Sequence, residues 1–367
     1  MGKKKVLSVL MAGMMVGTLL TGCQGAAKQG AANTPAAQET QAGGQSAGDT
    51  AQKEAAGAEN HDQGGAQPEM VLRVAYDNAE TESFYKGLVA FKDKVEKDTD
   101  GRIGVTIYPN AQLGSARDSI EGMSIGTVDC SYAATATLAS FVPEFSVLDG
   151  PFLFKSEEQA HKVIDGEVGD SLKQKVQDNL NIRILSYMDV GYRYIYSKKE
   201  VDSLEKFKGL KIRTMDSDIP IRTFELLGTI PVPMAQSEIF TALQQGTIDA
   251  AENNCSFILN QKMYENAKYV IKSNQTFGFS VLMISDKLFS SMSEEDQKIL
   301  TEAGLEASRV QREAGKEQND DAEAKLKEEG VTFIELDNDE LYQAVSPIYT
   351  EMKDLLIPEL VEKIQAE

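Results

Sequence analysis

From Val71 onward the chain alternates two hydrophobic periods, one suited to strands and one to helices. Val71-Leu72-Arg73-Val74-Ala75-Tyr76 reads as a strand. Phe84, Leu88, Phe91 and Val95 then mark one helix face, which Asp100-Gly101 stops. Ile103, Val105 and Ile107 alternate as a second strand; residues 115–125 read as a helix and 128–132 as a third strand. Ser156 with Gln159 forms a capping box for another helix, and 181–188 reads as a strand. The second stretch repeats this order: a strand at 211–214, a helix carrying Ile221, Phe224 and Leu227, a Pro-punctuated strand at 230–234, a helix capped by Ser237 and ended by Gly246, and a short buried strand at 247–250. Strands at 268–272 and 278–285, a long charged helix from Ser293 to about Lys327, a strand near 331–335 and two more helices complete the pattern. Such alternation specifies an α/β fold with a largely parallel sheet covered by helices. The chain's 367 residues suffice for two domains, and a helix as long as the charged one can span both.

The N-terminus reads as a targeting device. Lys3, Lys4 and Lys5 precede an apolar stretch, 6–20, too short and too small in its side chains for a membrane span. It ends in Leu20-Thr21-Gly22-Cys23, which resembles a bacterial lipobox. Residues 1–22 are therefore expected to be a signal peptide, with Cys23 lipidated and tethering the protein to a membrane's outer face. Residues 23–69 are dominated by Ala, Gly, Gln and Glu, cannot offset their ordering entropy by burial, and read as a flexible linker.

The net charge of -20 leaves no basic face for nucleic acid. Cys130 and Cys255 are open to a disulfide, as an exported protein allows, or to two small buried thiols, the reading preferred here. His61 lies in the linker, so His161 is the one histidine of the folded part, and a histidine-based triad or zinc site is not expected. Neither a P-loop nor a dinucleotide-binding glycine fingerprint is present, and no cofactor is expected.

Candidate binding residues gather at strand ends, where ligands of open α/β sheets usually sit. Arg213 ends one short strand, and Glu252 and Asn253 lie just beyond another. A fixed guanidinium matches a carboxylate, two donors to two oxygens. Asp77 and Asn78 follow the first strand and suit either ligand hydroxyls or a turn. Tyr132 and Phe152 can stack on a sugar ring or fill the core.

Arg213, the Pro231-Val232-Pro233-Met234 run, residues 237–246 and Ile248-Asp249 resemble the signature of TRAP-transporter substrate-binding proteins, the DctP-type receptors of tripartite ATP-independent transporters. Gly101-Arg102-Ile103, Tyr108-Pro109, Gln112-Leu113-Gly114 and the Asp149-to-Phe154 stretch resemble further elements of that family, so the likeness covers about 70–367. It implies a periplasmic-binding-protein-like fold: two α/β domains joined by hinge strands, with a long helix along both and the ligand in the cleft between. Domain I would comprise 70–190 plus 279–318, and domain II 191–278 plus 319–367. Closure on the ligand would be a hinge motion. By the resemblance, Arg213 is the carboxylate-pairing arginine, Arg193 a second cleft arginine, Asn253 a ligand-contacting polar residue, and Arg117 a residue near the cleft. Ser115 stands where an acidic residue often follows, and Gln236 where an aromatic one is usual, making that wall more polar. Ala251-Glu252-Asn253-Asn254 resembles the subgroup that binds uronates and aldonates, and Glu252 suits hydroxyls because a carboxylate accepts their protons.

The resulting expectation is a lipid-anchored extracytoplasmic binding protein. It would capture a small organic acid, most of all a sugar acid, and deliver it unchanged to TRAP membrane subunits. The alternatives are a dicarboxylate or keto-acid binder, a sensory receptor, or a surface enzyme acting on acidic sugars with Glu252 as general base. That enzyme would need a partner acid among Asp249, Glu238 and Asp216.

Overall fold

The computed structural model describes residues 67–367; the signal peptide, Cys23 and the linker up to 66 lie outside the described residues. The chain runs β1 (Met70–Ala75), α1 (Ser83–Asp98), β2 (Ile103–Tyr108), α2 (Ala116–Ile125), β3 (Cys130–Ala134), α3 (Thr135–Ala139), α4 (Glu157–Ile164), α5 (Glu167–Leu180) and β4 (Ile182–Tyr192). It continues β5 (Tyr194–Ser197), β6 (Lys211–Thr214), α6 (Asp218–Leu226), β7 (Ile230–Pro233), α7 (Ile239–Gln245), β8 (Ala250–Asn253), α8 (Cys255–Asn260) and β9 (Tyr269–Ile271). The last part is β10 (Phe277–Ser285), α9 (Asp286–Ser290), α10 (Glu294–Glu328), β11 (Thr332–Ile334), α11 (Asn338–Val345), α12 (Ile348–Glu351) and α13 (Pro358–Ala366).

The strands form two sheets, β2-β1-β3-β10-β4 and β11-β9-β5-β8-β6-β7. Each keeps a parallel set, β1 with β2 and β3 in the first, β6 with β7 and β8 in the second. The sheets are nonetheless mixed, not largely parallel. The chain passes from the first sheet to the second between β4 and β5 and returns between β9 and β10. On its return β10 runs antiparallel to both β3 and β4, and β5 is antiparallel to β8 and β9. The two passages touch, because Arg193 N–H donates to Thr276 O at 3.0 Å.

Two strand boundaries differ from the sequence reading for one shared reason. Helices α2 and α7 both end on a glycine in the left-handed conformation, Gly126 and Gly246. The next residue's N–H then bonds back into the helix, Thr127 to Gly122 O and Thr247 to Ala242 O, each at 2.9 Å. This cap consumes residues that look strand-like in sequence. So β3 starts at Cys130, not 128, and β8 at Ala250, not 247; Glu252 and Asn253 lie within β8, not beyond it. Three terminal helices, not two, follow β11.

The 35-residue α10 is amphipathic along two different partners. Its Leu300, Ala303 and Ala307 are buried with Leu88, Phe91 and Leu282 of the first sheet's layer. Its Ala322 and Leu326 are buried with Tyr196, Ile248 and Val270 of the second. Close approach depends on missing side chains. A Cβ on Gly304 would sit 2.7 Å from Leu185 Cβ, and one on Gly87 2.7 Å from Ala307 O. Polar side chains of α10 also clamp both halves. Gln311 accepts from Asp189 N–H and donates to Asp189 O, both at 2.8 Å, and Asn319 Oδ1 accepts from Ser256 N–H at 3.1 Å. Cys130 and Cys255 are both buried and both free, the thiol reading rather than the disulfide. Among the described residues no helix is long and apolar enough to cross a membrane.

Candidate functional site

A cavity of about 360 Å³ opens at the carboxyl ends of the parallel strands of both sheets. The first sheet contributes Asp77 and Asn78, which follow β1, Tyr132 on β3, and the start of α2 with Arg117. The second contributes Arg213 on β6, with Met215 and Asp216 just after it, and Gln236 beyond β7. Six of the sequence candidates are thus brought together: Asp77, Asn78, Arg117, Tyr132, Arg213 and Gln236.

Arg213 is 3% exposed. Its Nε and Nη2 donate to the Met234 carbonyl at 3.1 and 2.9 Å, which fixes the guanidinium plane. Its Nη1 is buried and has no partner. Burial pulls its pKa below the usual arginine value, with Glu252, Tyr196 and Asp77 opposing. The cleft wall therefore carries a desolvated cation bonded only to a carbonyl, an arrangement that an incoming carboxylate would relieve.

Asp77 is pushed up to about 6 by burial, opposed by the N–H groups of Asp77 and Ala116 and by the nearby Arg213 charge. Contacts between the two sheets' elements cross the cleft. Arg117 Nη2 lies 3.3 Å from Asp216 Oδ2, Ser140 Oγ donates to Asp216 O at 2.7 Å, and Gln236 Nε2 donates to Asn78 Oδ1. The Arg117 guanidinium also lies over the Phe141 ring, 5.0 Å from its centre.

Arg193 and Glu252 are not among the residues lining this cavity. A smaller cavity joins Asn78, Tyr132 and Gln236 to Arg193 and Asn253. Arg193 and Glu252 are 4% and 2% exposed and close on each other. Arg193 Nη2 donates to Glu252 Oε1 at 2.8 Å and to Glu252 O at 3.0 Å, and Nε donates to Oε2. Burial works against the Arg193 charge, but Glu252 outweighs it and holds the guanidinium more firmly protonated than usual. A general base needs a free carboxylate; that of Glu252 is taken. Asn253 Oδ1 accepts from Asn254 N–H at 2.9 Å, while Asn254 caps α8 and donates to Val190 O.

Two aromatic expectations need correction. Phe152 is not among the residues lining this cavity. Its N–H donates to Gln275 O at 2.7 Å and its ring meets Tyr342 edge-on at 5.8 Å, which makes it packing for the second sheet. Tyr132 does line the cavity, but its hydroxyl bonds Ser280 Oγ at 2.8 Å and its ring is held between Tyr76 and Phe84. Ser115 caps α2, and the acidic side chain at that helix start comes from Asp118, which completes a capping box.

Sequence reasoning missed Ser140 on the cavity wall and the buried Asp149 beside it. Asp149 lies near Arg193 with one carboxylate oxygen unpartnered, and burial pushes it up to about 7. Ser140 carries no local signal, and Asp149 was legible only as the start of the Asp149-to-Phe154 family stretch, not as a neighbour of Arg193.

The family described as bacterial extracellular solute-binding protein, family 7 (DctP), matches residues 74–354. A TRAP periplasmic solute-binding protein from Polaromonas, solved with D-erythronate, is 32% identical with a TM-score of 0.79, covering 81% of this chain and 98% of that one. The sugar acid binding protein DctPAm from Advenella mimigardefordensis, solved with galactonate, is 31% identical with a TM-score of 0.79, covering 82% and 97%. The C4-dicarboxylate-binding periplasmic protein DctP of Rhodobacter capsulatus is 30% identical over 289 residues, 77% of this chain and 86% of that protein.

Proposed function

This chain belongs to the DctP family of TRAP solute-binding proteins, family 7 of the bacterial extracellular solute-binding proteins, and on that premise we propose that its cleft captures a sugar acid, an aldonate or uronate, through Arg213. The observation that carries the reading is the state of Arg213: buried on the cleft wall, its plane set by the Met234 carbonyl, its Nη1 without an acceptor. A ligand carboxylate supplies the missing charge partner. The rest of the lining is rich in groups that bond hydroxyls, among them Asn78, Gln236, Ser140 and Asp216. The solved relatives from Polaromonas and Advenella hold D-erythronate and galactonate, acids of this kind.

Residues 70–190 with 279–318 would close against 191–278 with 319–367 and expel water, strengthening the ion pair. Arg193, held by Glu252, would support the site from behind without competing for the ligand's charge. The loaded protein would then deliver its ligand, chemically unchanged, to TRAP membrane subunits. Cys23 would carry the lipid that keeps it at the membrane. Loss of detergent-phase partitioning in Cys23→Ser is expected; retention would refute the anchor.

A thermal-shift screen of the purified protein tests the ligand class, with aldonates, uronates, C4-dicarboxylates and keto acids compared. A ligand at 100 times its Kd adds about 2.7 kcal/mol to stability. An upward shift of several degrees with an aldonate or uronate is expected. A shift confined to C4-dicarboxylates or keto acids would replace the ligand class, and none with any carboxylate would remove the role of Arg213.

A further inference from the structure

In the cleft, Arg213 differs from every other seat for an anion. Arg193 is closed by Glu252, through both carboxylate oxygens. Arg117 is met by Asp216 at 3.3 Å, and Ser140 Oγ holds Asp216 in place through its carbonyl. The first turn of α2 presents free N–H groups, the usual backbone seat for an anion. Asp118 exchanges bonds with Ser115 in the capping box, and Asp77 lines the same cavity as Ala116 of that turn, whose N–H favours its charge. Arg213 bonds only a carbonyl.

We propose that the cleft seats a single negative charge, and that Asp77 and Asp216 make it select singly charged polyhydroxy acids over ligands bearing a second carboxylate. The inference deepens, and rests on, the reading of this cavity as a sugar-acid site. With its first carboxylate on Arg213, a ligand extends into a space bordered by Asp77 and Asp216, which line the same cavity. Hydroxyls there can donate to these carboxylates. A second carboxylate is an acceptor facing acceptors, with like charges in a cavity that excludes much of the screening solvent. Of the groups that could have received it, Arg117 is met by Asp216, and the α2 N-terminus has Asp118 in its capping box and Asp77 on the same cavity wall. Asp216 is largely exposed, so its repulsion weakens with salt. Asp77 is half-buried and contributes more.

Length-matched pairs isolate the effect. Galactonate and galactarate differ only in CH2OH against carboxylate at one end, as do D-erythronate and meso-tartrate. Calorimetric titration of the purified protein is best run at pH 8 and low salt, where Asp77 is ionised. The singly charged member of the bound pair is expected to win by at least about tenfold. Asp77→Asn is isosteric, and its melting curve checks that it is folded. It is expected to narrow that ratio by about tenfold, and Asp216→Asn, which frees Arg117, to narrow it less. Because the readout is a ratio within one variant, a general loss of affinity does not imitate it. Equal or tighter binding of galactarate or tartrate by the wild type would overturn the inference, as would a ratio unmoved in both variants. If none of the four acids and no other carboxylate binds, the sugar-acid reading itself falls, a result distinguishable from either.

Discussion

Arg213→Ala is expected to weaken binding of the preferred acid by about 2–5 kcal/mol, roughly 30-fold to several thousand-fold. The magnitude follows from the environment of the guanidinium. It is 3% exposed, so its field is poorly screened, and two bonds to one carbonyl hold its plane before the ligand arrives. Little reorganisation is then required on binding. Removing the side chain strands the ligand carboxylate in a desolvated cleft, which accounts for much of the expected loss. The unliganded protein should behave differently. Arg213 bonds no carboxylate in this structure, so truncation breaks no ion pair and relieves the cost of burying a lone charge. The Met234 carbonyl loses its donors, which costs about 1–3 kcal/mol. These effects oppose, so the unliganded melting temperature should change little while the ligand-induced shift disappears. Arg213→Lys keeps the charge but not the fork and should fall between. Wild-type affinity in Arg213→Ala, measured by calorimetry, would end the assignment.

Local periodicity made most of the elements legible, because helix and strand faces here follow the burial pattern closely. Phe84, Leu88, Phe91 and Val95 are all buried on one face of α1, as their spacing requires. Arg213 could be placed because a single strand end carries it. Legibility failed where a residue's role depends on a partner distant in sequence. Glu252 reads equally as a ligand contact or as structure until sheet register is known. The pairing of β5 with β8 sets Ile195 opposite Glu252 and so brings Arg193 onto its carboxylate. Phe152 is similar: its left-handed backbone and its contact with Tyr342, some 190 positions away, take it out of the cleft. Asp216 could be seen only as a nearby acid. That it spans the cleft to Arg117 follows from how α2 and β6 approach each other. The family resemblance pointed to the arginines but not to which of them the protein neutralises itself.

Glu252→Ala is expected to destabilise the unliganded protein by about 3–5 kcal/mol, because it leaves the buried Arg193 charge without its partner. For a chain of this size that corresponds to a fall of roughly 10 °C in melting temperature. Arg193 occupies the passage between β4 and β5, where its N–H also bonds Thr276. An uncompensated charge there would loosen the point at which the two sheets join. One neighbour can soften the loss. Asp149 lies near Arg193, and burial pushes it up to about 7, so at neutral pH much of its charge is in reserve. With Glu252 gone, the guanidinium would draw Asp149 into its ionised form and recover part of the lost interaction. Glu252→Ala with Asp149→Asn should therefore cost more than the two single substitutions summed, since the neighbours share one partner. The alternative role separates cleanly. Were Glu252 a ligand contact, as its sequence context suggests, Glu252→Ala would melt like the wild type and lose affinity for the acid. Denaturant unfolding of the unliganded variants, beside calorimetry on those that remain folded, decides between a residue that holds Arg193 and one that touches the ligand.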